Sequence, residues 1–587
     1  MKTYKYILPI LCAGAVMGSC SDLFEPAIEM VNDVEVMYKD QNFASGLLGN
    51  AYILVPYGDP ESDLATDDAV SNQTGSRFTL MANGGWSSTN DPVSQWQARN
   101  NAIQYLNLFL ANVEQVSWSL TPALNQMFID QNKGDALAMR ALQRFYLLRS
   151  HAGKVNGELM GVPFFDEYQT GASDFNLERL TFKECITKIL ADVDSAMNLL
   201  PMEYKSIKDK SEIPAKYTAI GADMGGYNRA FGDHHHGKVC GNILKAFKAQ
   251  VLLFAASPAY GVVEWSEAAK AAAEAVGQQK VVEGGNTWYT NVKEIDGVKR
   301  TENTPEAIWM SNPGDANSLE SDNFPPSLFG KGRVNPTQNL VDAFPMANGF
   351  PITDSRSGYD PKKPFEGRDP RLRLAIVVDG DSLGVNKTPI YTGKEYTGDK
   401  AGKDNRDNEI GVSTRTGYYL RKLLRNDTNL DPSTTTTPKH YTARIRWTEI
   451  LLAYAEAANE AGGPTAVISP ATQSAKEIIR DIRERAGICV GTTDTYLEEC
   501  AADPAKMREL IRNERRLELC FENQRFYDLR RWNLDLNEAV KGITTGDGLT
   551  YSVVDVDTRN FKDYMVYGPI PYSEIMKYSS LEQNKGW

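Results

Sequence analysis

Segments with a helical hydrophobic period alternate along the chain with stretches that show no regular period. Apolar residues recur every three to four positions in the first kind of segment, which predicts amphipathic helices. The predicted helices are 36–55, 97–116, 134–151, 181–200, 239–256, 267–276, 446–461, 474–486 and 507–532. Neighbouring segments joined by short turns, with small residues at the expected contacts, favour a tetratricopeptide-like scaffold of helical pairs, although a strict 34-residue repeat is absent. We therefore predict a mainly α fold.

The stretch 281–441, called the central region here, interrupts the helical pattern. It is dense in Gly, Pro, Asn and Asp, which predicts a large irregular, loop-rich insert with short strands. Inserts of this kind usually carry function. We predict a helical scaffold with early binding loops at 36–280, the irregular insert at 281–441, and a C-terminal helical scaffold and tail at 442–587. The main early binding loop, 56–96, has a similar composition and is called the early loop.

The predicted helix 507–532 carries charges on its core-facing side. Glu514, Glu518, Arg525 and Asp528 fall within its apolar stripe. A buried charge is costly unless it is paired and hydrogen-bonded, so some partners must come from neighbouring elements. Glu514 and Glu518 could instead form a catalytic pair. Because structural ion-pair networks are common, we favour a buried polar network that fixes how the helices dock.

The N-terminus has the pattern of a secretory signal. Two lysines precede an apolar run that ends in Gly-Ser at Cys20, which supplies a charged region, an apolar core and a small-residue cleavage site. A cysteine after two small residues resembles a lipobox. We predict that 1–19 is a signal peptide, that Cys20 carries lipid, and that 20–35 is a lipidated tether. Two acyl chains suffice for stable membrane anchoring.

Charge and cysteine usage exclude several classes of protein. The 587 residues carry a formal net charge of −13, whereas nucleic-acid binding requires clustered Lys and Arg. No segment after the N-terminal signal is long enough to span a bilayer. The other mature cysteines show no CxxC pattern and indicate neither a disulfide framework nor a zinc site. A disulfide between Cys489 and Cys500 stays open.

Five motifs occur in order through the second half of the chain. They are PTQNLVDAFPMANGFPI from Pro336, RDPRL from Arg368, RIRWTEILLAYAEAANEAG from Arg444, IRNERRLELCFENQRFYDLRRW from Ile511 and GPIPYSEIMKYSSLEQNKGW from Gly568. Together these motifs resemble the signatures of the SusD/RagB family of bacterial outer-membrane nutrient-binding lipoproteins. The tail departs from the family pattern at Lys577-Tyr578 and Lys585, where Asn and Pro are expected, which affects only local turn geometry.

The resemblance implies a lipid-anchored, cell-surface protein of the outer membrane. Such a protein captures an oligosaccharide or polysaccharide and delivers it to a SusC-type TonB-dependent transporter. No bond is made or broken in this role, so we expect no enzyme activity. A RagB-like relative would capture peptides instead, and that alternative stays open. A surface glycoside hydrolase needs two carboxylates about 5–10 Å apart, for which Asp67, Asp68 and Asp91 are candidates.

Motifs for catalysis and metal binding are missing from the sequence. It contains no GxSxG, HExxH, Walker loop or Rossmann glycine fingerprint. Residues 234–236 are three adjacent histidines, and consecutive side chains do not easily converge on one ion, so a polar loop is favoured over a zinc site. The acidic loop 399–409 lacks the EF-hand spacing and its central glycine. We predict no cofactor and no metal site, and calcium binding stays open.

Aromatic residues set in polar loops are the remaining candidates for ligand binding. They are Trp86, Tyr227, Phe231, Trp288, Tyr289, Phe324 and Phe329. A sugar ring stacks its C–H face on a flat aromatic side chain, while its hydroxyls bond to Asp, Asn and Arg. For any single ring, a buried plug beneath a loop is an equally good interpretation.

We place the predicted binding site where the early loop meets the central region. The predicted ligand-binding residues are Asp67, Asp68, Arg77, Trp86, Asn90, Tyr227, Trp288, Tyr289 and Phe324. Trp86 is the principal candidate, because the glycines and serines on either side of it offer no apolar support for burial. The family resemblance implies a shallow aromatic platform. Binding should then be weak, micromolar to millimolar, or about −8 to −4 kcal/mol.

Overall fold

The computed structural model describes residues 38, 40–55 and 61–587, and over these residues the chain is mainly helical. The predicted signal 1–19, the tether 20–35 and Cys20 lie outside the described residues. The described α-helices are α1 Gln41–Ile53, α2 Arg77–Leu80, α3 Trp96–Asn112, α4 Pro122–His151, α5 Phe182–Leu199, α6 Ala215–Thr218, α7 Met224–Phe231, α8 Gly241–Ala256, α9 Trp265–Val276, α10 Val292–Gly297, α11 Ser318–Asn323, α12 Gln338–Ala343, α13 Arg371–Ala375, α14 Trp447–Gly462, α15 Ala475–Ala486, α16 Thr495–Ala501, α17 Pro504–Leu519, α18 Arg525–Arg531 and α19 Tyr572–Ile575.

The long helices pack mainly against their neighbours in the chain. Helix α3 packs on α4, α4 on α5, α8 on α9, and α14 on α15. Helices α9 and α14 are distant in sequence and meet through small side chains such as Ala268 and Ala453. Thr181 and Ser474 form capping boxes that satisfy the first N–H groups of α5 and α15. The predicted mainly α scaffold of helical pairs is confirmed.

Within the described residues, the short strands form seven separate antiparallel pairs. These pairs are β1 (Ala69–Ser71) with β6 (Val334–Pro336), β2 (Gly153–Val155) with β3 (Glu158–Met160), β4 (Ala307–Met310) with β12 (Ala443–Arg446), β5 (Gly314–Asp315) with β11 (Lys439–His440), β7 (Ile376–Val377) with β10 (Tyr419–Leu420), β8 (Ser382–Leu383) with β9 (Thr388–Pro389), and β13 (Val540–Thr545) with β14 (Tyr551–Asp557). In the first pair Val70 lies opposite Asn335, so backbone hydrogen bonds join the early loop to the central region.

Two large clusters of buried side chains organise the described residues. The first cluster lies among the long helices. The second cluster combines Phe78 of the early loop, Phe344 and Tyr418 of the central region, and Phe526 and Ile543 of the C-terminal part. The early loop therefore shares its core with the central region and the C-terminal part, although in the chain it lies between scaffold helices.

The predicted continuous helix 507–532 is wrong, because the chain breaks between α17 and α18. Phe521 and Asn523 both have a left-handed backbone, with φ of 61°. The Lys422 ammonium donates to the carbonyl oxygens of Glu518 and Cys520, each at 2.8 Å. The buried Lys422 ammonium therefore donates to carbonyl oxygens that would accept from backbone N–H groups in a continuous helix. The stripe of apolar residues continues across the break, which is why the periodicity did not reveal it.

The charged residues of this segment are buried and paired. Glu514 bridges Arg483 and Arg371, each at 2.8 Å. Glu518 bridges Arg371 and Arg485, each at 3.0 Å. Burial alone would raise the pKa of Glu518, but the nearby guanidinium groups hold it at about 2. The prediction that the partners come from neighbouring elements is confirmed, because these arginines belong to α13 and α15.

The last two residues of the predicted network, Arg525 and Asp528, are also paired. Asp528 accepts from Arg515 at 2.8 Å and from Arg531 at 2.7 Å. Arg525 reaches back to the early loop and donates to Asp67 at 2.7 Å. The segment thus ties the early loop, the central region and the C-terminal helices to one another through ion pairs.

Two further expectations concern the membrane and the cysteines. In the part of the chain that the structure describes, no helix combines the length and the apolar character needed to cross a membrane. Cys489 and Cys500 are both free thiols, so the disulfide considered between them is not formed. Burial raises the pKa of both thiols, which keeps them protonated and unreactive at neutral pH.

Candidate functional site

A cavity of about 340 Å³ lies where the early loop meets the central region. Asp63 and Leu64 of the early loop line one side, and Trp288, Tyr289 and Tyr441 line another. The remaining wall combines aliphatic residues with polar ones. Because the volume is near the lower end of the range of about 300–1,000 Å³ for ligand pockets, the cavity suits one small ligand or one residue of a larger ligand.

The three rings of the cavity wall are held in fixed positions. Trp288 meets Tyr289 edge-on at 5.7 Å between centroids and lies 5.2 Å from Tyr441. The Tyr289 hydroxyl donates to the Leu374 carbonyl at 3.1 Å. The Tyr441 hydroxyl is 3.0 Å from the hydroxyl of Thr304. These contacts make the wall rigid before any ligand arrives, which lowers the entropic cost of binding.

Two polar atoms of residues in the cavity wall are buried without a partner. Among the described residues, neither Asp63 Oδ1 nor Trp288 Nε1 has a hydrogen-bond partner. Asp63 Oδ2 accepts from the backbone N–H of Asn523 at 3.2 Å. Burial and the charge of Asp68 raise the pKa of Asp63 to about 7. Both unpartnered atoms have almost no accessible surface, so they lie within the wall and are not exposed to a molecule in the cavity.

His440 adds a titratable group to the cavity wall. Its Nε2 lies 2.9 Å from Glu320 Oε1. Burial works against a charged imidazole, but the hydrogen bond and the charge of Glu320 outweigh it and raise the pKa of His440. Leu319 and Thr442 also line the cavity, and both are exposed, so the cavity opens to solvent beside them.

A second cleft, of about 280 Å³, lies between residues 71–79 and 407–415. The amide of Asn72 crosses it and donates to the carbonyls of Lys331 at 2.9 Å and Val412 at 2.8 Å. Arg415 reaches the carbonyl of Ser71 at 3.3 Å. Among the residues that the structure describes, the lining of this cleft is mostly polar and includes no aromatic side chain. It can hydrogen-bond a ligand but cannot stack on a sugar ring.

Trp86 is not on the surface, and the expectation that it is exposed is wrong. Its side chain is 4% exposed, and its ring lies 4.8 Å from that of Trp587 and 6.1 Å from those of Phe526 and Phe561. The indole N–H donates to Asp91 at 2.9 Å. The apolar support comes from residues more than four hundred positions away, so the polar neighbours of Trp86 in sequence gave the wrong indication.

Asp67 and Asp68 are also buried, within the ion-pair network. Arg516 lies 2.9 Å from Asp67 and 2.6 Å from Asp68. Against the effect of burial, Arg516 and Arg525 hold the pKa of Asp67 well below its usual range. Burial and the charge of Asp67 raise the pKa of Asp68. Both side chains form ion pairs within the fold, and neither lines the cavity.

The other predicted residues fall into three groups. Arg77 and Asn90 are exposed on the early loop but do not line the cavity. Tyr227 packs in the first core beside Phe231, and Phe324 is buried in the second core. Trp288 and Tyr289 do line the cavity, as its rigid wall. They are only 6% and 4% exposed, so they do not form the shallow platform that was expected.

Sequence analysis missed three residues that shape the cavity. Tyr441 follows Lys439 and His440 in a polar setting, so the criterion applied to the other aromatic residues would have found it. Asp63 and Asn523 gave no such signal, because their roles depend on a turn in the early loop and on the break after α17.

The residues considered for metal binding and hydrolysis have the following positions. Within the described residues, no group of three or more His, Cys, Asp or Glu side chains is placed to hold a metal ion. Of the acids considered for hydrolysis, Asp67 and Asp68 are held by arginines, and Asp91 accepts from the Trp86 indole.

Comparisons with known proteins agree with this architecture. The model of the SusD family matches residues 296–587, and a family described as starch-binding associating with outer membrane matches residues 43–221. SusD-like protein P25 of Formosa agariphila is 28% identical over 267 residues, which cover 44% of this chain and 42% of that protein. The chain therefore spans less than half the length of that curated relative.

Two solved structures from Bacteroides fragilis share the fold over nearly the whole chain. One, a SusD-like protein, has a TM-score of 0.71 at 22% identity and covers 94% of this chain and 98% of its own. The other, a SusD-like carbohydrate-binding protein, has a TM-score of 0.67 at 21% identity and covers 93% of this chain and 100% of its own. At these identities the likeness shows the fold. The family matches, the ordered motifs and this shared fold show that the chain belongs to the SusD-like family.

Proposed function

We propose that the protein is a cell-surface glycan-binding lipoprotein that captures oligosaccharides and delivers them to a SusC-type TonB-dependent outer-membrane transporter. Membership of the SusD-like family supports binding of a glycan. The observation that carries the proposal is the cavity between the early loop and the central region, where Trp288, Tyr289 and Tyr441 form a rigid aromatic wall. Apolar sugar faces bind to such walls, and rim polar groups bind the hydroxyls.

The test uses Leu319, because it lines the cavity yet is 43% exposed, so its replacement should leave the fold intact. Leu319→Trp would place an indole at the opening. We expect this variant to lose retention in polysaccharide affinity gels and to lose heat of binding in calorimetry. Leu549→Trp is the matched control, since Leu549 is also exposed but does not line the cavity.

Unaltered binding by Leu319→Trp, with its melting temperature unchanged, would place the glycan elsewhere. The polar cleft between residues 71–79 and 407–415 would then be the next candidate. Retention of peptides but of no glycan, measured on the same protein, would favour the RagB-like alternative.

We also propose that the captured glycan is not cleaved. We expect the purified protein to bind its glycan and to release no reducing ends on prolonged incubation. The appearance of reducing ends would overturn this part of the proposal and favour a hydrolase.

Delivery requires a transporter and an anchor. The predicted anchor is Cys20, which lies outside the described residues, and the predicted partner is a TonB-dependent transporter. We expect the protein to co-purify from outer membranes with such a transporter. Growth on the bound glycan should require both proteins, and normal growth without this protein would contradict the proposed role in delivery.

A further inference from the structure

A hydrogen-bonded acid and base join the two segments that form the opening of the cavity. Glu320 lies on α11 directly after Leu319, and His440 lies on β11 two residues before Thr442. Leu319 and Thr442 are the exposed lining residues at the opening. Nε2 of His440 lies 2.9 Å from Oε1 of Glu320. The pair therefore links the segment that carries Leu319 to the segment that carries Thr442.

The Glu320 carboxylate depends on His440 for a positively charged partner. Glu320 is fully buried, and its Oε1 also accepts from the backbone N–H of Arg425 at 2.8 Å. Its Oε2 has no hydrogen-bond partner among the described residues. In that part of the chain, no lysine ammonium or arginine guanidinium nitrogen lies within 4.0 Å of this carboxylate. Because a buried carboxylate without a charged partner is costly, the protonation state of the imidazole determines how well it is compensated.

The charges that act on the imidazole from the neighbouring loop largely offset one another. The Arg425 guanidinium opposes a positive charge on His440. Arg425 is itself paired with Asp427 at 2.6 Å and with Asp296 at 2.7 Å, and Asp427 favours the charged imidazole. Burial also opposes the charged form, but the hydrogen bond and the charge of Glu320 outweigh it and raise the pKa of His440.

Other charged groups on the adjoining elements have partners of their own or face solvent. Lys439, next to the imidazole on β11, donates to the carbonyl oxygen of Asp296 at 2.7 Å. Asp315 on β5 lies opposite Lys439 and is exposed. Asp322 on α11 pairs with Lys331 at 2.8 Å. Histidine is the side chain that ordinarily changes its charge between pH 5 and 8, so the imidazole is the group that alters the charge at the opening in this range.

We infer that the His440–Glu320 pair makes capture of a glycan by this cavity depend on pH. The inference rests on the proposed function and adds the regulation of the same site. While the imidazole is protonated, the ion pair holds α11 and β11 together. When the imidazole loses its proton, the buried carboxylate is left without a charged partner, and the hold on α11 weakens. Binding must then order the opening as well as fill the cavity, which lowers the affinity.

The change should stay local, because both segments have further attachments. The backbone N–H groups of Lys331 and Arg333 donate to the carbonyl oxygens of Ser321 and Asp322, at 3.0 and 2.8 Å. Strand β11 keeps its backbone pairing with β5. We therefore expect deprotonation to loosen the first turn of α11, which carries Leu319, without unfolding the chain.

The first test measures binding of neutral oligosaccharides, which do not titrate themselves, from pH 5 to pH 9. The probes are maltoheptaose, cellohexaose and laminarihexaose, and calorimetry gives the affinity of each one that binds. We expect the affinity to fall about tenfold as the pH rises, the change that corresponds to one pKa unit of difference between free and bound protein. The midpoint should lie close to the pKa of His440 measured by NMR.

The outcomes separate this inference from the proposed function. An affinity that stays constant over this range, for a probe that binds, would overturn the pH dependence and leave glycan binding intact. Binding of none of the three probes at any pH would overturn the pH dependence and would also count against the proposed function.

Two variants and a control connect the effect to the pair. Glu320→Gln removes the buried charge, so its affinity should change little with pH. His440→Gln lacks the cation at every pH, so its affinity should stay near the value of wild type at pH 9. His234→Gln is the control, because His234 is exposed and its Nε2 lies 3.1 Å from the carbonyl oxygen of Arg229. Full pH dependence in Glu320→Gln, or its loss in His234→Gln, would refute the role of the pair.

A measurement on the wild-type protein needs no folded variant. Methyl NMR reports how well ordered the side chain of Leu319 is at each pH. We expect the Leu319 methyl groups to become more mobile between pH 5 and pH 9. The methyl groups of Leu549, which is also exposed but does not line the cavity, should show no such change. Equal order of Leu319 at both pH values would refute the loosening of α11.

Discussion

Removal of the Glu518 carboxylate should destabilise the whole chain. Glu518 is buried and accepts from Arg371 and Arg485, each at 3.0 Å. In Glu518→Ala, Arg371 keeps Asp369 and Glu514 as partners, whereas Arg485 loses its ion pair with Glu518. Breaking a buried pair costs about 3–5 kcal/mol. Because Arg371 keeps its other carboxylates, we expect a loss of stability of about 3 kcal/mol, at the lower end of this range.

The corresponding change in melting temperature is small but measurable. Unfolding entropy of about 2.1 cal/mol/K per residue amounts to about 1.2 kcal/mol/K for 587 residues that unfold as one cooperative unit. A loss of about 3 kcal/mol should therefore lower the melting temperature by roughly 2–3 °C in calorimetry. Glu509→Ala is the matched control on the same helix. Glu509 pairs with Arg512 at 3.1 Å but is 69% exposed, so its removal should cost at most about 1 kcal/mol.

The difference in stability between wild type and Glu518→Ala should depend on pH. Arginines lower the pKa of Glu518 from 4.5 to about 2 against the effect of burial. A carboxyl with a lowered pKa stabilises the folded state above its unfolded value and loses that effect as the pH falls. The difference between wild type and Glu518→Ala should be full above pH 4.5 and shrink towards pH 2. Equal melting temperatures at pH 7, together with lost glycan binding, would refute the structural role and support a functional one.

Three other predictions rest on the structure for Trp86 and Asp63 and on the sequence for Cys20. Trp86→Ala should lower stability by about 3–5 kcal/mol, as expected for loss of a buried tryptophan, and the folded fraction should bind glycan normally; loss of binding at unchanged stability would contradict its place in the core. Because the pKa of Asp63 is raised to about 7, the protonated carboxyl stabilises the folded state at low pH, and this contribution is lost as the pH rises to about 7. The melting temperature of Asp63→Asn relative to wild type should therefore increase from pH 4 to pH 8. No such change would contradict the raised pKa. Cys20→Ala should release the protein from the outer membrane and abolish labelling with radioactive palmitate, and undiminished labelling of the variant would refute lipidation at this residue.

The helical scaffold was predictable because its signals are local. Hydrophobic period and capping residues lie within a few positions of each other, and α5, predicted at 181–200, spans Phe182–Leu199. Helix α4 is longer than predicted, Pro122–His151 instead of 134–151. Its first turns contain several polar, partly exposed residues, which weaken the hydrophobic period there. Local signals therefore located the helices but not all of their ends.

The candidate site was predictable only in part, because it depends on contacts between distant segments. The meeting of the early loop with the central region and the presence of Trp288 and Tyr289 were anticipated, and the cavity lies at that meeting point. The burial of Trp86 depends on Trp587, at the opposite end of the chain. The burial of Asp67 depends on Arg516 and Arg525. A single sequence contains no sign of which distant residues will meet.

The charged segment that holds the fold together also shapes the cavity. The chain break after α17 turns Phe521 and Asn523 onto the cavity wall, and Asn523 donates its backbone N–H to Asp63. Lys422 stabilises that break by binding the carbonyls of Glu518 and Cys520. A continuous helix would remove both the left-handed turn and the N–H that fixes Asp63. The buried ion pairs thus help to fix the position of the early loop against the central region, and so the shape of the cavity between them.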